Sequence, residues 1–385
     1  MIVKYLIITL LIPVCLPGAT ILFDQAHSQT NWSSYDFIVD DNAPVPQPYP
    51  PTSAHDWNGQ LSTWGYELYL AGHTIRINTD FITPGVLDGI DLLIIPEPQD
   101  TFSLQEMDAI EDFVVNGGNL FIIADHNSSD RNHNDWDSPS IFNGFVNPHI
   151  TTPPGADTSR FIKPRFGFYL HVNGDPYNAY SDSFTNVSNN NQDPIIYGFY
   201  GEVDTFTYHQ GDVFTVFPNY NLNLDSVRGH IWVNNKPQNN TLIIVATALV
   251  GNGKVAGIGD SSPFCDGSGP TTHENNWIEH DNRELILNTS RWLLDQGTST
   301  EESQHYCLQP INYSYSGNQL FICIPFYTDQ SIILTDLSGR IIAELSPCNL
   351  NQHTTEYSIH INLQSSVYFI RGNNINPIKL INLDS

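Results

Sequence analysis

Short apolar runs alternate with helix-patterned segments between residues 20 and 297, and this alternation constrains the fold more than any other feature. Ser103 and Glu106 open the best-marked helix as a capping box, and Gly117-Gly118 end it. Strand and helix signals in alternation predict an α/β domain with a mostly parallel sheet. The three clearest strand-like runs are Thr20–Phe23, Leu92–Ile95 and Asn119–Ala124. Later in the domain, Leu242–Val250 and Lys254–Ile258 predict a strand pair, and Asp281 with Glu284 predicts the cap of a final helix that ends at Gly297.

The rest of the chain differs from this domain in composition and in its pattern of strand and turn signals. Residues 1–19 carry a lysine, an apolar run and small residues in the order of a secretory signal peptide, and the run is too short to span a bilayer. Residues 142–240 are rich in Pro, Gly and Asn with short strand signals, which predicts a β-rich insertion or edge elaboration. Residues 298–306 are a polar linker, and residues 307–385 have the strand and turn pattern of a small β-sandwich.

Charge and cysteine content narrow the possible partners. The chain has 41 acidic and 14 basic residues, giving a net charge of −27, which disfavours nucleic acid and anionic lipid as partners. No later segment is apolar enough to cross a membrane, so we expect a mature protein without a transmembrane segment. Export permits disulfides, but sequence alone leaves their connectivity open. The four cysteines that would remain are Cys265, Cys307, Cys323 and Cys348.

Three strand signals end in bursts of polar residues. The first burst runs from Asp24 to His27, the second from Asp125 to Asp137, and the third begins at Gly259-Asp260-Ser261. Ligands of open α/β sheets bind outside the carboxyl ends of the strands, so we expect these bursts to converge on one pocket. The predicted pocket-lining residues are Asp24, His27 and Asp266, and the predicted catalytic residues are Asp125, His126, Asp260 and Ser261.

The second burst also suggests a metal site. Carboxylates and imidazoles are costly to collect in one place unless a cation or shared protons compensate them. Ca²⁺ would favour the carboxylates and Zn²⁺ the imidazoles. The alternative is a solvated loop that binds nothing. The candidate ligands are His27, Asp125, His126, Asp130, His133 and Asp135.

Ser261 is a candidate nucleophile, with His126 or His27 as its base. The G-x-S-x-G elbow of α/β-hydrolases is absent around Ser261, so a ligand or anchoring role for Asp260 is favoured over a nucleophilic Ser261. An HExxH zinc motif is also absent.

Two family resemblances follow from these motifs. The segments Ile21–His27, Asn116–His126 and Val255–Gly269 are similar to those of secreted members of the class I glutamine amidotransferase-like superfamily. This resemblance implies a flavodoxin-like three-layer sandwich over residues 20–297 with a pocket at the strand ends. The amidotransferase cysteine elbow and the downstream His-x-Glu are missing, so glutamine hydrolysis is not implied.

The C-terminal region resembles the sorting domain of type IX secretion. The resemblance lies in Ser331–Ile342, which contains Asp-x-x-Gly-Arg, in the strand Val367–Arg371, and in the last strand, Ile378–Ile381. It implies the secretion machinery as a partner, and delivery to the cell surface or medium of a bacterium with two membranes. An ordinary accessory β-domain is the alternative.

These observations leave three functional hypotheses. The first is a metal-assisted hydrolase that acts on extracellular glycan or polymer fragments. The second is a non-catalytic surface protein that binds a cation or a saccharide. Exposed tryptophans would then stack on sugar rings, and the candidates are Trp32, Trp57, Trp136 and Trp277. The third is a serine hydrolase that uses Ser261.

Overall fold

The computed structural model describes residues 18–28, 37–144, 165–171, 177, 179–218, 227–269 and 274–295, together with the strands of the C-terminal region. Most of the predicted signal peptide and the whole predicted linker lie outside these residues, so both stay predictions. Within the described residues, no helix has the length and apolar character needed to cross a membrane.

A sheet with a parallel centre organises the α/β part, and this confirms the predicted fold class. Five strands lie side by side in the order β2-β1-β3-β4-β14, and every neighbouring pair among them is parallel. An order of 2-1-3-4-5 is that of flavodoxin-like folds, in which ligands bind at the carboxyl edge where the order reverses. The strands are β1 (Thr20–Asp24), β2 (Thr74–Asn78), β3 (Leu92–Pro96), β4 (Asn119–Ile123) and β14 (Gly253–Ile258).

Helices cover both faces of this sheet and give the predicted three layers. The strands alternate apolar side chains between two buried clusters, so Phe23 packs on one face while Leu22 packs on the other. The helices α1 (Ser62–Leu70) and α4 (Asn282–Leu294) cover the first face, and α2 (Leu104–Val115) and α3 (Ser138–Asn143) cover the second.

The helix starts follow the sequence signals in one case and depart from them in another. Ser103 and Glu106 form the predicted capping box of α2, since each side chain accepts a hydrogen bond from the backbone N–H of the other residue. Asp281 was expected to cap α4, but its carboxylate instead accepts hydrogen bonds from the backbone N–H groups of Asp204 and Thr205. The Asp281 carboxylate therefore forms a tertiary contact with the insertion and does not cap the helix.

The β-rich insertion extends the central sheet at one edge. β13 (Ile243–Val250) runs antiparallel to β14, as the sequence predicted, and the strands beyond it continue the sheet in antiparallel fashion. These outer strands are β5 (Phe168–Leu170), β7 (Asn186–Val187), β11 (Phe214–Val216) and β12 (Val227–Trp232). Two small separate sheets are formed by β6 (Tyr180–Phe184) with β10 (Phe206–Gly211), and by β8 (Tyr197–Gly198) with β9 (Gly201–Glu202).

The C-terminal region contains two antiparallel four-stranded sheets, in the orders β15-β16-β20-β19 and β18-β17-β21-β22. Their strands are β15 (Asn312–Ser316), β16 (Gln319–Ile324), β17 (Ile332–Asp336), β18 (Ile341–Leu345), β19 (Pro347–Leu350), β20 (Thr355–His360), β21 (Val367–Gly372) and β22 (Ile375–Ile381). The expectation of a small all-β unit is met in secondary structure. Its assignment as a sorting domain stays a prediction.

Two of the predicted structural roles can be checked in the described residues. Cys265 is a free, buried cysteine whose thiol donates a hydrogen bond to Gln60, so it forms no disulfide. Cys307 lies outside the described residues. Trp57 and Trp277 are buried in the core, which removes them as stacking platforms for a sugar.

Candidate functional site

Glu97 lies at the centre of the carboxyl edge, directly after β3. Its backbone adopts φ +41°, and its side chain is fully buried. A non-glycine residue with positive φ is uncommon, and such conformations concentrate at functional sites. The turn aims the Glu97 carboxyl back toward the ends of the neighbouring strands instead of into solvent.

The ends of two neighbouring strands, β4 and β14, place polar side chains near Glu97. Ser261, three residues after β14, donates its hydroxyl hydrogen to Glu97 Oε2 across 2.7 Å. Asp125, two residues after β4, shares an arginine with Glu97 and raises its pKa by charge repulsion. Asp260 acts in the same way on the pKa of Asp125. We call Glu97, Asp125, Asp260 and Ser261 the carboxyl cluster. The structure thus brings together three of the four predicted catalytic residues, although their catalytic role stays a prediction.

The carboxyl groups of the cluster have raised pKa values, so they retain protons near neutral pH. Burial raises the pKa of Glu97 to about 8, and the charge of Asp125 adds to the rise. Burial and the charge of Asp260 raise the pKa of Asp125 to about 7. Burial also raises the pKa of Asp260. Such neighbouring acids titrate as a group, so the cluster shares protons in the range where general acid–base catalysis works best.

Arg131 is the cation of this site. Its Nε donates to Glu97 Oε1 at 3.2 Å, and its Nη2 donates to Asp125 Oδ2 at 2.6 Å. Gln99 fixes the arginine, because its Oε1 accepts the Arg131 backbone N–H at 2.7 Å. The Arg131 side chain is 22% exposed, whereas those of Glu97 and Asp125 are at most 3% exposed. The Arg131 guanidinium group therefore ties the loop of residues 126–137 to the carboxyl cluster.

Backbone donors hold Asp260 in place. Its Oδ1 accepts the N–H of Ser262 at 2.8 Å, and its Oδ2 accepts the N–H of His209 at 2.6 Å. Gly211 makes this approach possible, since an added Cβ would lie 2.6 Å from the Asp260 Cβ. Asp260 is thus an anchoring residue between β14 and β10.

Asp24 and His27, from the first polar burst, form a cluster with Glu106 that is separate from the carboxyl cluster. His27 lies between two carboxylates, with Nδ1 at 2.8 Å from Asp24 and Nε2 at 3.2 Å from Glu106. Burial lowers the pKa of His27, but Asp24 and Glu106 outweigh burial and raise it to about 10. The backbone oxygen of His27 accepts the N–H of Gln99 at 2.6 Å, and this bond connects the burst to the carboxyl cluster. An imidazolium that stays charged at neutral pH is a poor base for Ser261, so this arrangement does not support the pairing with His27.

The remaining predicted metal ligands are engaged inside their own loop. Asp130 accepts the backbone N–H groups of Asn134 and Asp135 at 3.0 and 2.8 Å, and His126 Nδ1 lies 2.9 Å from the Asn127 backbone oxygen. His133 and Asp135 have φ of +58° and +71°. In the part of the chain that the structure describes, no group of three or more His, Cys, Asp or Glu side chains is arranged to hold a metal ion. The six predicted ligands are split between the two clusters and this loop.

Asp266 has a structural role at the start of α1. Its Oδ2 accepts the Ser62 hydroxyl at 2.8 Å and the Thr63 backbone N–H at 2.7 Å. A carboxylate at a helix N-terminus satisfies orphan N–H groups and complements the helix dipole. Asp266 therefore supplies the cap that the preceding residue, Leu61, cannot give.

Sequence reasoning missed Glu97, Arg131 and Glu106 as members of these clusters. Glu97 stands alone between two prolines with no histidine or second acid beside it, so no motif marked it. Its only signal was its position directly after the buried strand β3. Arg131 lies inside the second burst, where the acids and histidines around it dominate the pattern. Glu106 was identified by its capping box, which does not reveal its contact with His27.

Comparisons with known proteins add a likeness of fold. No family model matches the sequence, and no curated protein matches it. The N-terminal domain of mmIFT52 matches with 15% identity and a TM-score of 0.46, over 73% of this chain and 100% of that one. A ThuA-like protein from Bacteroides uniformis matches with 13% identity and a TM-score of 0.38, over 72% and 91% of the two chains. A β-galactosidase of family GH42 matches with 11% identity and a TM-score of 0.36, over 89% of this chain but 40% of its own.

These likenesses are too distant to carry an argument about activity. The strand order 2-1-3-4-5 and the helices on both faces identify residues 20–294, in their described part, as a flavodoxin-like α/β domain.

Proposed function

We propose that this protein is an exported hydrolase that cleaves an acyl ester, with Ser261 as nucleophile and Glu97 as its general base. The observation that carries the proposal is the 2.7 Å hydrogen bond from the Ser261 hydroxyl to Glu97 Oε2. Nucleophilic catalysis typically uses a nucleophile that is hydrogen-bonded to a general base, and a third group orients that base. Here Arg131 is the third group, because it binds the other oxygen of Glu97.

The reaction follows from these contacts. Ser261 Oγ attacks the ester carbonyl carbon while its proton passes to Glu97 Oε2. Collapse of the tetrahedral intermediate breaks the bond to the alcohol, which leaves with the proton from Glu97. Water then attacks the acyl-serine, gives its proton to Glu97, and releases the acid as the proton returns to Ser261 Oγ. A base whose pKa is about 8 suits proton transfer near neutral pH.

This proposal takes a different nucleophile from the metal-assisted hydrolase predicted from the sequence. A metal-bound water would need free carboxylate oxygens, but Glu97 Oε1 and Asp125 Oδ2 both accept hydrogen bonds from Arg131. The Ser261–Glu97 pair needs no rearrangement of those bonds. For that reason the contacts favour Ser261 over a metal-bound water.

The test is covalent labelling with a fluorophosphonate probe, followed by peptide mapping. Wild-type protein should be labelled at Ser261, with loss of fluoride from the probe, while Ser261→Ala and Glu97→Gln should each lower labelling by about a hundredfold or more. Ser181→Ala is the matched control, because Ser181 is an exposed serine on β6 that is not a member of the carboxyl cluster. Circular dichroism would establish that each variant is folded. Equal labelling of wild type and Ser261→Ala would overturn the proposal.

One observation favours a second candidate, the non-catalytic binding protein. Ser261 is 1% exposed, and Arg131 neutralises part of the acidic charge around it. An ester can reach Ser261 only if residues around it move. Absence of labelling in a folded wild-type protein would support this candidate over the hydrolase.

A further inference from the structure

A polar surface pocket lies on the β-rich insertion, apart from the carboxyl edge of the parallel strands. Its volume is about 440 Å³, and it is lined by Thr185, Asn186, Asn234, Asn235 and Lys236. Thr185 joins β6 to β7, and the other side of the pocket is the loop that follows β12. A cavity of this size accommodates a ligand of one or two sugar rings. We call it the asparagine pocket.

The back of the asparagine pocket is a rigid frame. Asn234 accepts the Thr185 backbone N–H at 3.0 Å and donates to the Ser183 backbone oxygen at 2.9 Å. Asn186 donates to the backbone oxygens of Val233 and Lys236 at 3.0 and 2.9 Å. These bonds fix the loop against β7, so the pocket keeps its shape without a ligand, and little ordering entropy is lost on binding.

The rim of the pocket, in contrast, carries uncommitted polar groups. The side chains of Asn235 and Lys236 are exposed, and the Lys236 ammonium forms no ion pair with any described residue. This is notable in a chain whose acidic residues outnumber the basic ones by 41 to 14. The nearby carboxylate of Asp182 is already occupied by hydrogen bonds from Tyr180 and Asn234.

An aromatic ring stands beside this cation. The Lys236 Nζ lies 5.7 Å from the centroid of the Tyr177 ring, within the range of a cation–π contact. Tyr177 is braced by an edge-to-face contact with Tyr180 at 5.4 Å. The contact holds the ammonium in position but leaves its charge available to an anion.

We infer that the asparagine pocket binds an acidic saccharide, whose carboxylate pairs with Lys236 and whose hydroxyls bond to Asn235 and Thr185. An amide offers both a donor and an acceptor, as does a hydroxyl, and these match the hydroxyl pairs of a sugar ring. We expect the ligand to carry a carboxylate because Lys236 is the one charged side chain among the residues that line the pocket. This inference is independent of the proposed chemistry at Ser261.

Isothermal titration calorimetry on the full chain tests it, with trimers of galacturonic, glucuronic and mannuronic acid as probes and the neutral trimers of galactose, glucose and mannose as counterparts. At least one acidic trimer should bind, about tenfold or more tighter than its neutral counterpart, and added salt should weaken it. Lys236→Gln should reduce this affinity about tenfold, and Asn235→Ala should reduce it by a smaller factor.

The matched control is Arg228→Gln, which removes an exposed cation on β12 that does not line the pocket and should leave binding unchanged. Three results would overturn the inference: no heat with any acidic trimer, equal affinity for acidic and neutral trimers, or full affinity in Lys236→Gln. Labelling of Ser261 in the Lys236→Gln protein should remain at the wild-type level, which separates this pocket from the proposed active site.

Discussion

At the scale of single residues, the pKa of Glu97 makes the proposed chemistry testable by pH. A general base works only when deprotonated, so the rate of probe labelling at Ser261 should rise with pH and level off above an apparent pKa of about 8. Asp125→Asn removes the charge that helps to raise this pKa, so the inflection should move to lower pH. A structural role of Asp125 alone would change the rate without moving the inflection.

The cluster residues also show where reasoning from sequence stops. Asp125, Asp260 and Ser261 were predictable because each follows a recognisable strand, and parallel strands end at a common edge. Glu97 was not, because the turn at φ +41° that directs its side chain inward has no sequence motif. Periodicity locates the end of a strand, but it does not say which of the following side chains turns back toward the sheet.

At the scale of elements, the loop of residues 126–137 depends on Arg131. Arg131→Ala would leave Glu97 and Asp125 buried without their cation, which should lower the free energy of unfolding by about 3 kcal/mol above about pH 8, where both carboxyls are ionised. Urea unfolding followed by tryptophan fluorescence measures this loss. Arg131→Lys is the matched variant, because it keeps the charge but cannot bind both carboxylates through a planar fork. An unfolding midpoint unchanged in Arg131→Ala would show that the pair does not hold the loop.

The elements themselves were largely predictable, in contrast to their tertiary contacts. The strand β3 and the helix α2 appear within two residues of their predicted bounds, since buried apolar runs and a capping box are local signals. Asp281 failed as a predicted cap because its partners, Asp204 and Thr205, lie in the insertion, far away in sequence. Local patterns determine where helices begin more reliably than they determine which oxygens complete them.

At the scale of the whole molecule, the titration of buried groups predicts greatest stability in mildly acidic solution. Glu97 and Asp125 have pKa values raised to about 8 and about 7, so the folded chain binds more protons than the unfolded chain, and stability must fall as the pH rises through these values. The raised pKa of His27, about 10, acts in the same direction, because its stabilisation is complete below about pH 6.5 and is lost as the pH rises toward 10.

The urea midpoint should therefore decrease between about pH 5.5 and about pH 9. Self-repulsion from a net charge of −27 adds to this decrease, but salt screens repulsion between surface charges much more than it affects buried groups. The decrease should persist in about 0.5 M salt and should be smaller in Glu97→Gln than in wild type. A decrease that disappears in salt would assign the whole effect to the surface charge.

The pairing of β4 with β14 has a consequence for how the molecule folds. Asn119 and Lys254 are partners in that pairing, although the insertion and β13 separate them along the chain. Contacts between residues so far apart form late, because the entropy of closing the intervening loop is lost before the contact stabilises the chain. Along the chain, Glu97 and Asp125 precede the insertion, and Asp260 and Ser261 follow it. The carboxyl cluster can therefore assemble only once the polypeptide is synthesised beyond β14, so every earlier folding intermediate lacks the Ser261–Glu97 pair.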